Sequence, residues 1–187
     1  MKKERPDTPN NDATVRKNTT GNNRKALRFW VQAAVIGGIY AVLTVVLAPI
    51  SYGALQVRVS EALTILPYFT PAAIPGLFVG CIAANIISPY GLPDLIFGSL
   101  ASLIGAFLSY KVRRREWLVP LPPVIANGVI IGSMLYFVYG VPPSLIVDIG
   151  WITLGEIGAC YILGLPLLKL LKRYKYIFLY EQTHRIR

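Results

Sequence analysis

Four carboxylates and one guanidinium stand inside the apolar part of this chain, and they are the residues with chemistry to offer. They are Glu61, Asp94, Asp148, Glu156 and Arg58; the other acids, Glu4, Asp7, Asp12, Glu116 and Glu181, fall outside it. Charged groups at membrane depth are costly, so they face a protein interior or a water-filled cavity and mark sites or pathways. Arg58 and Glu61 are three residues apart, a spacing that lets them pair on one helix face or meet a ligand together. Asp94 follows Pro93 at a helix start, where a carboxylate caps free N–H groups. Asp148 and Glu156 lie about two turns apart on one half of a helix, with Trp151 and Gly155 between them and no base in their own span, which predicts a pocket floor. Asn127, four residues after Pro123, brings an amide that either contacts a ligand or bonds the backbone loosened by Pro120, Pro122 and Pro123. Such a pocket suits a cation or a donor-rich ring. A purine-like edge fits, since one carboxylate can accept two adjacent N–H groups while Trp151 supplies apolar contact.

Other chemistry is poorly provided for. Cys81 and Cys160 sit in apolar context without CxxC spacing, and the single histidine, His184, is in a basic tail, so neither a metal cluster nor a Cys/His nucleophile is expected. No GxxxxGK[ST] loop is present, so the chain by itself lacks that route to ATP, and no cofactor is expected.

The elements that must position these residues are read from composition and charge. Of 187 residues 54% are hydrophobic and 15% charged, against roughly 25% charged in soluble domains. Eighteen of the 19 basic residues fall in Lys2–Arg28, Lys111–Arg115 and Lys169–Arg187, leaving Arg58 alone outside them. Basic runs flanking apolar stretches read as membrane anchors rather than a nucleic-acid surface. The spans are Phe29–Ile50, Pro71–Ser88, Leu92–Tyr110, Trp117–Tyr139 and Ser144–Leu171. Five crossings would put the N-terminal tail and the Lys111 loop on opposite sides of the membrane, so a sixth is required. Ser51–Phe69, holding Arg58 and Glu61 before Pro67, is the remaining candidate: an outward loop, then a short, partly broken helix.

The expected fold is an all-α, six-helix transmembrane bundle with a short, partly broken second helix, in the plasma membrane with both termini cytoplasmic. Residues 1–28 are a disordered basic tail, 29–171 the membrane domain and 172–187 a second basic tail. Loop Ser51–Ser60 is expected to close over the ligand from outside.

Small residues recur at four-residue spacing in Gly76-xxx-Gly80, in Gly128-xxx-Gly132 and, as two adjacent rows, on the first span at Ala33, Gly37 and Ala41 and at Ala34 and Gly38. Most such rows are helix packing. The double row, Ala34, Gly37, Gly38 and Ala41, is also a candidate docking face for another membrane protein.

Leu47–Pro67, and within it the run Gln56-Val-Arg-Val-Ser-Glu-Ala-Leu-Thr64, closely resembles the QueT family, membrane substrate-binding components of energy-coupling factor importers assigned to queuosine precursors. The likeness extends over roughly Arg28–Leu171. It implies a six-helix fold, capture of a 7-deazaguanine in its 7-cyano or 7-aminomethyl form, and docking on two ATPases and a coupling membrane subunit. Another purine- or vitamin-like ligand is the alternative within this class, and two other classes remain open: a membrane-embedded enzyme using Asp148 and Glu156, and a structural or assembly subunit. A structural subunit would bind no small molecule.

Overall fold

The computed structural model describes residues 11–52, 57–140 and 144–174, with side chains from residue 22 onward. The middle of the Ser51–Ser60 loop and most of the C-terminal tail lie outside the described residues.

Among the described residues seven α-helices follow one another: α1 (Asn11–Val46), α2 (Ala48–Ser51), α3 (Ala73–Asn85), α4 (Gly91–Val112), α5 (Leu121–Tyr139), α6 (Leu145–Ile157) and α7 (Leu165–Arg173). Two 3₁₀ segments, Val59–Tyr68 and Glu116–Leu118, and a π segment, Gly158–Gly164, complete the chain, and no strand occurs among the described residues. Among the described residues four stretches are long and apolar enough to cross a bilayer: 22–46, 91–112, 116–139 and 145–173. The expected spans Pro71–Ser88 and Ser51–Phe69 are shorter than a full crossing. They become the 13-residue α3 and a 10-residue 3₁₀ segment. The first span likewise ends early, at Val46, and Leu47 separates it from α2.

The distribution of side chains is that of a protein whose solvent is lipid. Val31, Val35, Val42, Ile96, Phe107, Ile146 and Leu154 face outward, while Tyr40, Thr44, Glu61, Thr64, Asn85, Asp94 and Ser102 are buried. In water the preference runs the other way.

Helices approach through glycine where hydrophobicity gives no drive for association. A Cβ built on Gly80 would stand 2.6 Å from the Gly37 carbonyl oxygen, and one on Gly37 would stand 2.7 Å from that of Gly76. α1 and α3 are therefore in backbone contact, and any side chain there would force them apart. The expected packing row Gly128-xxx-Gly132 holds α5 against α6 in the same way, at Thr153 and Ile149.

Two departures from α geometry place the polar residues. Val59–Tyr68, with Pro67 inside it, winds as a 3₁₀ helix, in which side chains three apart eclipse, so Glu61 and Thr64 stack on one side. At about 2.0 Å per residue such a segment reaches ~20 Å, further than an α-helix of that length. Pro166 lacks the N–H that an unbroken helix needs, and the backbone ahead of it widens into the π turn that holds Cys160.

Candidate functional site

Every long element contributes to one buried polar core. At one level of it Arg58 Nη2 lies 3.0 Å from both oxygens of Asp94, with the two side chains 3% and 0% exposed. The Ser88 hydroxyl donates to Asp94 Oδ2 at 2.6 Å, and Asn85 Nδ2 donates to the Asp94 carbonyl at 2.9 Å. Arg58 also stands over the Tyr52 ring, whose hydroxyl donates to the Ala84 carbonyl at 2.8 Å. This corrects two expectations. Arg58 pairs with Asp94 of α4 and not with its near neighbour Glu61. Asp94 does lie in the first turn of α4, but its oxygens bond Arg58 and Ser88 rather than free backbone N–H groups. A bidentate cation across the bundle satisfies the carboxylate better than exposed amides would.

Below this level Glu61 and Glu156 converge. Glu61 is fully buried and accepts a hydrogen bond from the Tyr40 hydroxyl at Oε1, while its Oε2 has no partner. Glu156, 2% exposed, accepts a weak bond from Cys160 Sγ at 3.5 Å. Thr64 Oγ1 donates to the Glu61 carbonyl at 2.6 Å and lies 3.6 Å from Cys160 Sγ. One ligating atom from each of Glu61, Glu156 and Cys160 falls within 4.8 Å of the others, a group close enough to share a metal ion. Spacing rules based on histidine and CxxC had excluded such a set, because its members come from three separate places in the chain. Asn127 stands beside both carboxylates, with its amide nitrogen free of any well-formed hydrogen bond. The nearest cation, Arg58, is already held by Asp94.

Of the residues singled out from sequence, the structure thus brings together Glu61, Glu156 and Asn127, with Arg58 one level away. Asp148 is buried with Oδ2 unpartnered, but it lies about 12 Å from Glu156 along α6. Ile152, 1% exposed and packed on α5, lies on the helix between them. Trp151 is half-exposed on the outer face of α6 and takes no part in the core. Tyr40 and Cys160 were missed. The signal for Tyr40 was a tyrosine in mid-span rather than at an interface, followed four residues later by Thr44, whose hydroxyl lies 2.6 Å from that of Ser60.

The double row of small residues divides. Ala33 and Gly37 are buried against α3, whereas Ala34 and Gly38 face outward and nothing lies within 4 Å of a Cβ built on Gly38. Ala41 is intermediate. Gly37 is therefore internal packing, and what remains of the docking face is Ala34 and Gly38, with Ala41 at its edge.

Residues 30–173 match the model of the QueT transporter family. The chain belongs to that family. It is 37% identical over 84 residues to the queuosine precursor transporter QueT of Lactococcus lactis subsp. cremoris (strain MG1363), a match covering 44% of this chain and 48% of the relative. The chain thus spans about half the length of that curated relative in the match. No solved structure is significantly similar to it. The QueT family is one of transporters, which removes the embedded-enzyme alternative and agrees with a multi-pass membrane protein.

Proposed function

We propose that the protein is the membrane substrate-binding component of an energy-coupling factor importer, capturing a queuosine precursor of the 7-deazaguanine type. The observation that carries the reading is the pair Glu61 and Glu156 with Asn127 beside it: buried, without a cation of its own, and with Glu61 Oε2 and the Asn127 amide nitrogen unsatisfied. A buried acceptor or donor left unmade costs about 1–3 kcal/mol. A 2-amino-4-oxopyrimidine edge offers what they lack: the carboxylates accept from the ring N–H and the exocyclic amino group, and Asn127 donates to the exocyclic carbonyl oxygen. Family membership and the name of the Lactococcus relative, a queuosine precursor transporter, support the same reading. Asp148, further toward the start of α6, is left to the path of entry, where it meets the cation of an aminomethyl ligand.

In this reading α1, Val59–Tyr68, α3, α4, α5 and the joined α6–α7 make six passages with both termini cytoplasmic, because the basic runs then share one side. Energy comes from two ATPase subunits through a coupling membrane subunit docked at Ala34 and Gly38, since the sequence has no phosphate-binding loop of its own.

Calorimetric titration of the detergent-purified protein tests the proposal. The 7-cyano and 7-aminomethyl 7-deazaguanines should both bind, and adenine, which presents a different edge, should not. Binding of adenine with equal affinity, or of none of the three, would remove the reading.

A further inference from the structure

At the end of the bundle where α4 passes into α5, the 3₁₀ turn Glu116–Leu118 lies beside α7. Between them is a cleft of about 470 Å³ lined by Arg114, Glu116, Trp117, Leu165, Leu168 and Lys169. Its floor is apolar: Leu168 is 1% exposed, and Trp117, 60% exposed, forms a wall. The charges on its rim are not equivalent. Glu116 is paired with Lys172 and accepts from the Tyr68 hydroxyl at 3.4 Å. Lys111 and Arg113 lie over the rings of Phe107 and Tyr110, at 4.6 and 4.0 Å from the ring centres. Arg114 and Lys169 are exposed and have no ion-pair partner among the described residues.

Two membrane-spanning stretches end at this level and a third begins there, at 112, 173 and 116, which sets the cleft at headgroup depth. A basic pocket between transmembrane helices with an apolar floor matches an anionic lipid in both charge and amphipathicity. We propose that the cleft binds one anionic phospholipid, its phosphate between Arg114 and Lys169 and an acyl chain along Leu165 and Trp117. A free phosphate would use the two cations but leave the apolar floor uncovered.

Native mass spectrometry of the full chain in detergent tests this with dioleoyl-phosphatidylglycerol, dioleoyl-phosphatidylcholine and glycerol phosphate. Phosphatidylglycerol should be retained, and R114Q/K169Q should weaken it about thirtyfold, two charges at about 1 kcal/mol each. K111Q/R113Q, whose charges are engaged elsewhere, and R114K/K169R, which keeps both charges, should retain it. Equal retention of phosphatidylcholine, undiminished binding in R114Q/K169Q, or glycerol phosphate binding as tightly as the lipid would each overturn the assignment.

Discussion

The two carboxylate sites in the bundle are equally buried and differently provided for. Asp94 has a guanidinium across both oxygens and a serine hydroxyl besides. Among the described residues, Glu61 and Glu156 have a tyrosine hydroxyl, a thiol and the amide of Asn127 beside them but no ion-pair partner, and Glu61 Oε2 makes no well-formed hydrogen bond. Removing one partner of a buried ion pair is destabilising, because it strands the other. A buried acid with no cation paired to it strands no partner when it is replaced, and its open acceptor can be completed by a ligand. In the proposed reading, the difference leaves Asp94 to hold the bundle together and the two glutamates to bind.

Substitutions should separate the two roles, and the largest effect belongs to the satisfied site. Arg58→Gln leaves Asp94 buried with Ser88 alone and should lower stability by about 3–5 kcal/mol, read from thermal or denaturant melts in detergent. A normal melt with lost ligand affinity would instead make Arg58 a binding residue and dissolve the contrast. Glu156→Gln keeps size and exchanges an acceptor for a donor. It should weaken 7-deazaguanine binding by about 1.5–3 kcal/mol in calorimetry while the melt stays in place; unchanged affinity would make the glutamates structural as well. Gly98 sharpens the Asp94 site, since a Cβ there would lie 2.5 Å from Asn85 Nδ2 and 3.1 Å from Asp94 Oδ1. Gly98→Ala should cost about 1–3 kcal/mol of stability by displacing both. The smallest effect is expected on the lipid side: Trp151→Leu should change binding and melting by no more than about 0.5 kcal/mol. A tenfold loss of affinity there would place the ligand elsewhere.

What was legible in the sequence follows the range of each interaction. Apolar runs, their turns and the basic flanks are local, and they marked the four long spans and the all-helical class. Gly76 and Gly80 announced a close helix contact by spacing alone. Pairing across the bundle is not local: the i, i+3 spacing favoured Arg58 with Glu61, yet the cation found Asp94, 36 positions away. The same held for Cys160, unremarkable among apolar neighbours until the π turn set it beside two acids from different elements. Trp151 illustrates the opposite error, since proximity in sequence to Asp148 and Glu156 says nothing about which side of a helix a ring occupies. The 3₁₀ winding of Val59–Tyr68 was foreseen only as a broken helix, because Pro67 and the charges mark a disturbance without saying which winding relieves it.

The brevity of α3 has a consequence for the bilayer itself. Its 13 residues rise about 20 Å, against a hydrocarbon thickness of about 30 Å, yet Val79 on α3 and Ile86 and Ile87 just past its end are exposed apolar side chains suited to acyl chains. Lipids along this flank must shorten to match, by local thinning, while those beside α1 and α4 keep their full length. A bilayer that thinned there would be of uneven depth, with headgroups and their water drawn inward on the flank of α3, the helix that carries Asn85 and Cys81 on its inner side. Reconstitution into bilayers of increasing acyl-chain length should stretch this flank before any other, and the helix most strained by a thick membrane is the one in backbone contact with α1.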